Sequence, residues 1–296
     1  MVRALGRLSL GVVLAAFLPI SALAEPALPR PVRATAALLV DLLDGKVLYA
    51  QNPEEVHGPA SLVKLMTLYL AYQDLRVGAV GLGDPVLVSE HAARTPRFRM
   101  GLRPGERVPL RLLLDGVAIA SANDAATALA EHLEGSEAAF VERMNATAAA
   151  LGLSQTRFAN PHGLPDPRQR STARDLARLT ERLLQDFPAA REALGRRSFV
   201  YRGRLHRRRI ALFRDPGGVA ALKTGFTLES GFNLAVAAAR SGQHLLCIIL
   251  GAESRTSSFL EAGHLLRFGF GEVTPVRRIK VPRARPRPGV GAGGSN

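Results

Sequence analysis

The 296-residue sequence predicts an α/β fold of the α+β kind, with a sheet closed by strands from both ends of the chain and a helical insertion at its side. Three observations predict it. Residues 35–50 read as two strands around Asp44-Gly45, a hairpin signal. Runs of helical period fill most of 61–185. Residues 231–240 and 243–251 return to strand character around Ser241-Gly242-Gln243.

The elements follow in order. Residues 61–76 (SLVKLMTLYLAYQDLR) have helical periodicity with Ser61 at the start. Residues 109–118 and 124–134 are helical, separated by the polar break Ser121-Ala122-Asn123, and 136–151 form another helix. Residues 155–171 are a long loop rich in Pro, Gly, Asn and His, after which Ser171 and Thr172 open a helix to about Gln185. Residues 219–225 are a strand and 256–269 a last helix. Beyond 273, Pro, Gly and Arg dominate, and a disordered tail is expected over 273–296.

Residues 1–24 have a positive start (Arg3, Arg7), an apolar run of about a dozen residues and Ala22-Leu23-Ala24 at the end, the pattern of a secretory signal peptide. The run is short for a bilayer span. Cleavage near Ala24 and export to the periplasm of a bacterial envelope are therefore expected, with a single catalytic domain over 25–272. Cys247 is the one cysteine, which excludes an intrachain disulfide framework and a Cys-rich metal site. It lies in an apolar strand and is expected to be core. No His/Asp/Glu cluster has metal-ligand spacing, so neither metal nor cofactor is expected.

The net charge is +14, which first points to a polyanionic partner. Export removes cytosolic nucleic acid from the candidates, and the absence of Trp argues against a base-stacking surface. The signal segment carries two of the cations. Residues 196–209 carry seven Arg and 276–288 six cations, neither with an acid, and the rest is near neutral. These two segments are either solvated charge or a contact with an anionic membrane face or cell-wall polymer.

Within 39 cations there are four lysines, Lys46, Lys64, Lys223 and Lys280. Arg stays protonated, whereas a desolvated Lys can act as a base. In Ser61-Leu62-Val63-Lys64 the helix spacing i, i+3 lets the amine reach the hydroxyl and make Ser61 a nucleophile. The same four residues also read as an N-cap followed by a surface Lys. Ser121 and Asn123 can relay a proton and hold a substrate carbonyl, or Asn123 or Asp124 can simply cap a helix. Lys223-Thr224-Gly225 can bind a carboxylate and let an extended peptide approach the strand edge, or be a strand end with a Gly bulge. Asp175 reads as a first-turn helix charge, and His162 as either a cleft residue or a backbone contributor to its loop.

Ser-x-x-Lys, Ser-x-Asn and Lys-Thr-Gly in that order are the motif set of penicillin-binding proteins and class A β-lactamases. From about residue 33 to 270 the chain resembles the serine D-alanyl-D-alanine carboxypeptidases, peptidase family S11. The resemblance includes Pro59–Thr67, Ser121–Ala126, Phe158–Leu164, Ser171–Asp175 and Lys223–Thr227. It implies a penicillin-binding-protein/β-lactamase-like transpeptidase fold, an antiparallel sheet flanked by helices with a helical subdomain. It further implies attack by Ser61 on peptidoglycan stem peptides with Lys64 as base, and proton transfer assisted by Ser121 and Lys223. Asn123 would orient substrate and Thr224 bind its carboxylate. An oxyanion hole would come from the backbone N–H of Ser61 and one at Phe226. β-Lactams would acylate Ser61.

The pattern also departs from the family. Phe226 stands where relatives often have Thr or His, with Thr227 next. Ser258 stands where they often have Arg, and Arg255 is the nearest cation, which leaves the balance of carboxypeptidase and endopeptidase open. Relatives also carry a second β-rich domain and an amphipathic anchor. A β-lactamase would need a deacylating Glu, and 155–170 contains none.

Overall fold

A five-stranded antiparallel sheet in the order β2-β1-β9-β8-β7 carries the molecule, with β7 at the edge. The computed structural model describes residues 29–208, 210, 212 and 218–271. The expected signal peptide, the tail 273–296 and the basic segment 276–288 lie outside these. The strands are β1 (Ala36–Asp41), β2 (Val47–Gln51), β7 (Val219–Thr227), β8 (Gly231–Arg240) and β9 (Gln243–Ala252). A strand from early in the chain, β1, thus pairs with a late one, β9, within the sheet, as the strand pattern predicts.

β1 is apolar from Ala36 to Val40 and β9 from Leu245 onward because both of their faces are covered there. Ala36, Leu38, Val40, Leu246, Ile248 and Leu250 face one core, built with the helical insertion. Ala37, Leu39, Leu245, Cys247 and Ile249 face a second core under α8 (Arg255–Gly269). Cys247 is fully buried there. α8 starts on a Ser254/Ser257 capping box.

The insertion differs in detail from the sequence reading. Ser61 does not cap a helix: Ala60–Val63 form a 3-10 turn, and α1 (Lys64–Arg76) begins at the lysine. The run expected over 109–118 divides into α3 (Leu110–Asp115) and a π-helical turn Gly116–Ala120. A Cβ on Gly116 would lie 2.6 Å from Met100 Sδ and 3.2 Å from Ala125 Cβ, so the turn packs closely against both. α4 (Asn123–Glu134) has Ala122 as its N-cap and no side-chain cap, so neither Asn123 nor Asp124 caps it. α5 (Glu137–Ala150) and α6 (Ala173–Asp186) start on Ser136 and Thr172, whose side chains accept from Ala139 and Asp175 N–H.

Further elements went unread in the sequence. They are the ribbon β3 (Pro85–Leu87)–β4 (Arg107–Pro109), α2 (Glu90–Arg94), α7 (Pro188–Gly195) and the ribbon β5 (Ser198–Tyr201)–β6 (Arg204–Arg207). The last lies inside the basic segment 196–209. Its Arg202-Gly203 turn takes two positive φ angles, 50° and 73°, and Phe199 stacks on His206 on the inner side. Part of the arginine charge is internal: Arg196 pairs with Asp115 at 2.8 Å, and Arg202 with Glu106 at 3.4 Å. No helix among the described residues is long and apolar enough to cross a membrane.

Candidate active site

Three elements meet where the two halves touch: the 3-10 turn before α1, the π turn before α4, and edge strand β7. Two of the residues that turn the chain here are non-glycine with positive φ, Ala60 (47°) just before Ser61, and Ser121 (55°). Each such conformation costs about 1–3 kcal/mol and persists where surroundings over-determine it. At Ala60 the surroundings are Gly163 and Gly225. A Cβ on Gly163 would sit 2.1 Å from the Ala60 carbonyl oxygen, and one on Gly225 3.0 Å from the Pro59 oxygen and the Ser61 nitrogen. The Lys-Thr-Gly strand therefore lies directly against the nucleophile's backbone. Asn233 Nδ2 donates to the Gly58 carbonyl at 2.8 Å, and the His57 ring meets the Ser230 carbonyl at 2.7 Å, tying the approach to the 3-10 turn to β8 and the β7–β8 turn.

Lys64 is fully buried, and its Nζ has three partners: Ser61 Oγ at 3.1 Å, Asn123 Oδ1 at 2.7 Å and the His162 carbonyl. Burial lowers its pKa to about 7, and Asp124 opposes the shift. The partner set decides what the neutral amine does. It has two N–H donors and one lone pair. Asn123 Oδ1 and the His162 carbonyl only accept, so the lone pair is left for the Ser61 hydroxyl. This arrangement can take a proton from Ser61 at neutral pH.

On the other wall, Lys223 is also buried and donates to Ser121 Oγ at 2.7 Å and to the Thr224 carbonyl at 3.0 Å. Burial first, then Lys64 and Arg208, hold its pKa well below the ordinary value. Strand alternation puts Lys223 and Gly225 toward the insertion and Thr224 and Phe226 on the opposite face. Phe226 stacks on Phe232 with centroids 4.3 Å apart. The Thr227 hydroxyl closes the β7–β8 turn, accepting from Ser230 N at 3.0 Å. The structure thus gathers Ser61, Lys64, Ser121, Asn123, Lys223 and the Gly225 backbone, while the side chains of Thr224, Phe226 and Thr227 stand aside. Ser258 is buried in α8 and donates to the Arg255 carbonyl at 2.8 Å.

Sequence reasoning missed the brace behind this cluster. The buried Asp124 carboxylate accepts from the N–H groups of Met100, Gly101 and Leu102 at 2.9–3.1 Å. That fixes the loop whose Pro96 carbonyl takes Asn123 Nδ2 at 2.8 Å. Asp124 had a signal, since it is an acid followed by an apolar helix, but the capping explanation absorbed it. His162 contributes its backbone, one of the two options read for it. Asn160 and Gln169 hold its loop, Asn160 Oδ1 accepting from Gly163 N at 2.7 Å. Asp175 does more than charge a first turn, because Oδ2 accepts from Thr156 Oγ1 at 2.7 Å and Gln155 N at 3.0 Å at the loop's start. Among the described residues no group of three or more His, Cys, Asp or Glu is placed to hold a metal.

Known proteins resemble this chain over most of its length. A family model described as D-alanyl-D-alanine carboxypeptidase matches residues 22–254. The D-alanyl-D-alanine carboxypeptidase DacC of Escherichia coli is 38% identical over 272 residues, covering 88% of this chain and 68% of that protein. A D-alanyl-D-alanine endopeptidase of Pseudomonas aeruginosa is 31% identical, covering 81% and 79%. The crystal structure of penicillin binding protein 5 from Haemophilus influenzae superposes with a TM-score of 0.80 at 34% identity, over 82% of this chain and 72% of that one.

Proposed function

The chain belongs to the D-alanyl-D-alanine carboxypeptidase family, serine peptidases of the hydrolase class, and we propose that it removes the terminal D-Ala from peptidoglycan stem pentapeptides through a Ser61 acyl-enzyme. The observation that carries this is the partner set of Lys64, two acceptors and one hydroxyl. Ser61 Oγ attacks the carbonyl carbon of the penultimate D-Ala, and its proton passes to Lys64. The Ser61 and Phe226 N–H groups stabilise the oxyanion. The C–N bond then breaks, and the leaving amine takes a proton from Ser121, which is resupplied by Lys223. After D-Ala leaves, water attacks the ester carbonyl and gives a proton through Ser121 to Lys223. The C–O bond to Ser61 then breaks, and Ser61 takes its proton back from Lys64. Asn123 orients the substrate amide.

Penicillins acylate the same Ser61, and the adduct is long-lived. The one acid in loop 155–170, Asp166, is held at about 2 by Arg168, its hydrogen-bond partner, and makes a poor deacylating base. The site works outside the cytoplasm after cleavage near Ala24. The exposed arginines of 196–209 and the cations of 276–288 make a peripheral contact with the anionic envelope, which deletion of 276–296 should weaken in a sedimentation assay with membranes and sacculi.

Two experiments test the reading. A fluorescent penicillin should label the wild type and not Ser61→Ala; an unlabelled wild type would remove the acyl-enzyme. Muramyl pentapeptide should lose one D-Ala by mass. The endopeptidase relative supports a second reading, cleavage of cross-linked dimers, which the same mass analysis separates.

A further inference from the structure

Of the seven arginines in 196–209, Arg208 is largely buried, beneath the strand that carries Lys223. It follows β6 by one residue, and its backbone N–H donates to the Arg197 carbonyl at 2.8 Å. Its Nη1 donates to the Leu222 carbonyl at 2.7 Å; Nη2 donates to the Leu194 carbonyl at 2.6 Å and to that of Arg196. The guanidinium fork thus joins the C-terminal end of α7 to the residue immediately before Lys223. A planar fork with several fixed donors does this; an ammonium cannot reach all three acceptors in one geometry. A cation is also well placed at a helix C-terminus.

We propose that Arg208 is a positioning residue for Lys223: it fixes the Leu222 carbonyl, and so the set of the strand at Lys223, and its charge biases Lys223 toward releasing a proton to Ser121. The inference rests on the proposed part of Lys223 in acylation. The charged groups that act on Lys223 are Lys64 from α1 and Arg208. Ser121, from the end of the π turn, is neutral, and the Asp124 carboxylate acts on Lys64 and His206. Burial lowers the pKa of Arg208 itself only to about 10, so it is charged wherever Lys223 is in play.

The test is the pH dependence of acylation by a fluorescent penicillin in the full chain, for wild type, Arg208→Lys and Arg208→Met, with folding followed by circular dichroism. Arg208→Lys keeps the charge and loses the fork. It should acylate about tenfold more slowly, with the alkaline limb, where Lys223 loses its proton, where it is in the wild type. Arg208→Met loses both, so its limb should also move up by about half a pH unit or more. An unmoved limb in folded Arg208→Met overturns the proposal. So does a wild-type rate in Arg208→Lys, and that variant decides alone if Arg208→Met does not fold. A wild type that fails to label would instead sink the acyl-enzyme itself, so the two failures are distinguishable.

Discussion

The two walls of the cleft each present one fully buried lysine, and the walls treat them differently. Lys64 has the Asp124 carboxylate on its side, and its pKa falls only to about 7. Lys223 has no acid acting on it, only Lys64 and Arg208, and burial with these two cations holds its pKa well below the ordinary value. The difference lies in the backbone around them. The α1 wall is braced by loops, whose amides need a carboxylate to accept from them. The β7 wall is a strand edge whose Leu222 carbonyl needs a donor, and an arginine supplies it. Loop amides bring in an acid and strand carbonyls a base, and the two lysines inherit those opposite charges.

The strongest way to break this comparison is to exchange both lysines for arginine. Lys64→Arg removes the base that faces the Ser61 hydroxyl, and acylation should fall about a thousandfold or more. Lys223→Arg keeps a donor to Ser121 and should fall by about ten- to a hundredfold. Equal losses, read as second-order labelling rates, would mean that both lysines act as bases.

Asp124→Asn sharpens the contrast from the acid side. The three backbone donors lose a charged acceptor, and stability should fall by about 2–4 kcal/mol in a denaturant titration. The carboxylate raises the pKa of Lys64, so its loss lowers it. Acylation needs the neutral amine and falls as pH drops through about 7 in the wild type; in Asp124→Asn that acid limb should lie at lower pH. A limb that moves up would contradict the assignment.

The smallest effect is expected at the contact between walls. Gly225→Ala places a methyl 3.0 Å from two backbone atoms of the 3-10 turn. A shift of a few tenths of an ångström relieves it, so acylation should drop by about three- to tenfold while the melting temperature changes little.

Much of this was legible in the sequence because side-chain spacing carries it. Ser61 and Lys64 share a face by i, i+3, and the scarcity of Lys among the cations singled out Lys64 and Lys223. The strand alternation gave the central sheet. What stayed hidden works through the backbone. The His162 carbonyl reaches Lys64 across 98 positions, and no residue type announces a carbonyl. The 3-10 turn under Ser61 depends on Gly163 pressing against Ala60 from a distant loop. The β5–β6 ribbon was masked by its own charge: Phe199, Tyr201 and His206 alternate inward, with Arg-Gly between, but seven arginines read as solvated charge or an envelope contact. Ser121 reads from the sequence as the break between two helices, while the π turn and the left-handed backbone that set it beside Lys223 leave no mark there.

The lone cysteine has a practical consequence. Cys247 is sealed between β1 and β8 in the sheet centre, and burial pushes its thiol well above the usual range. It is therefore silent toward maleimides while the protein is folded. A cysteine introduced at Val200, more than half exposed on the outer side of the arginine ribbon, would be the single thiol that such a dye can reach. The wild-type background then serves directly for placing one fluorophore on the ribbon and watching, by energy transfer from labelled vesicles or wall fragments, what that surface approaches.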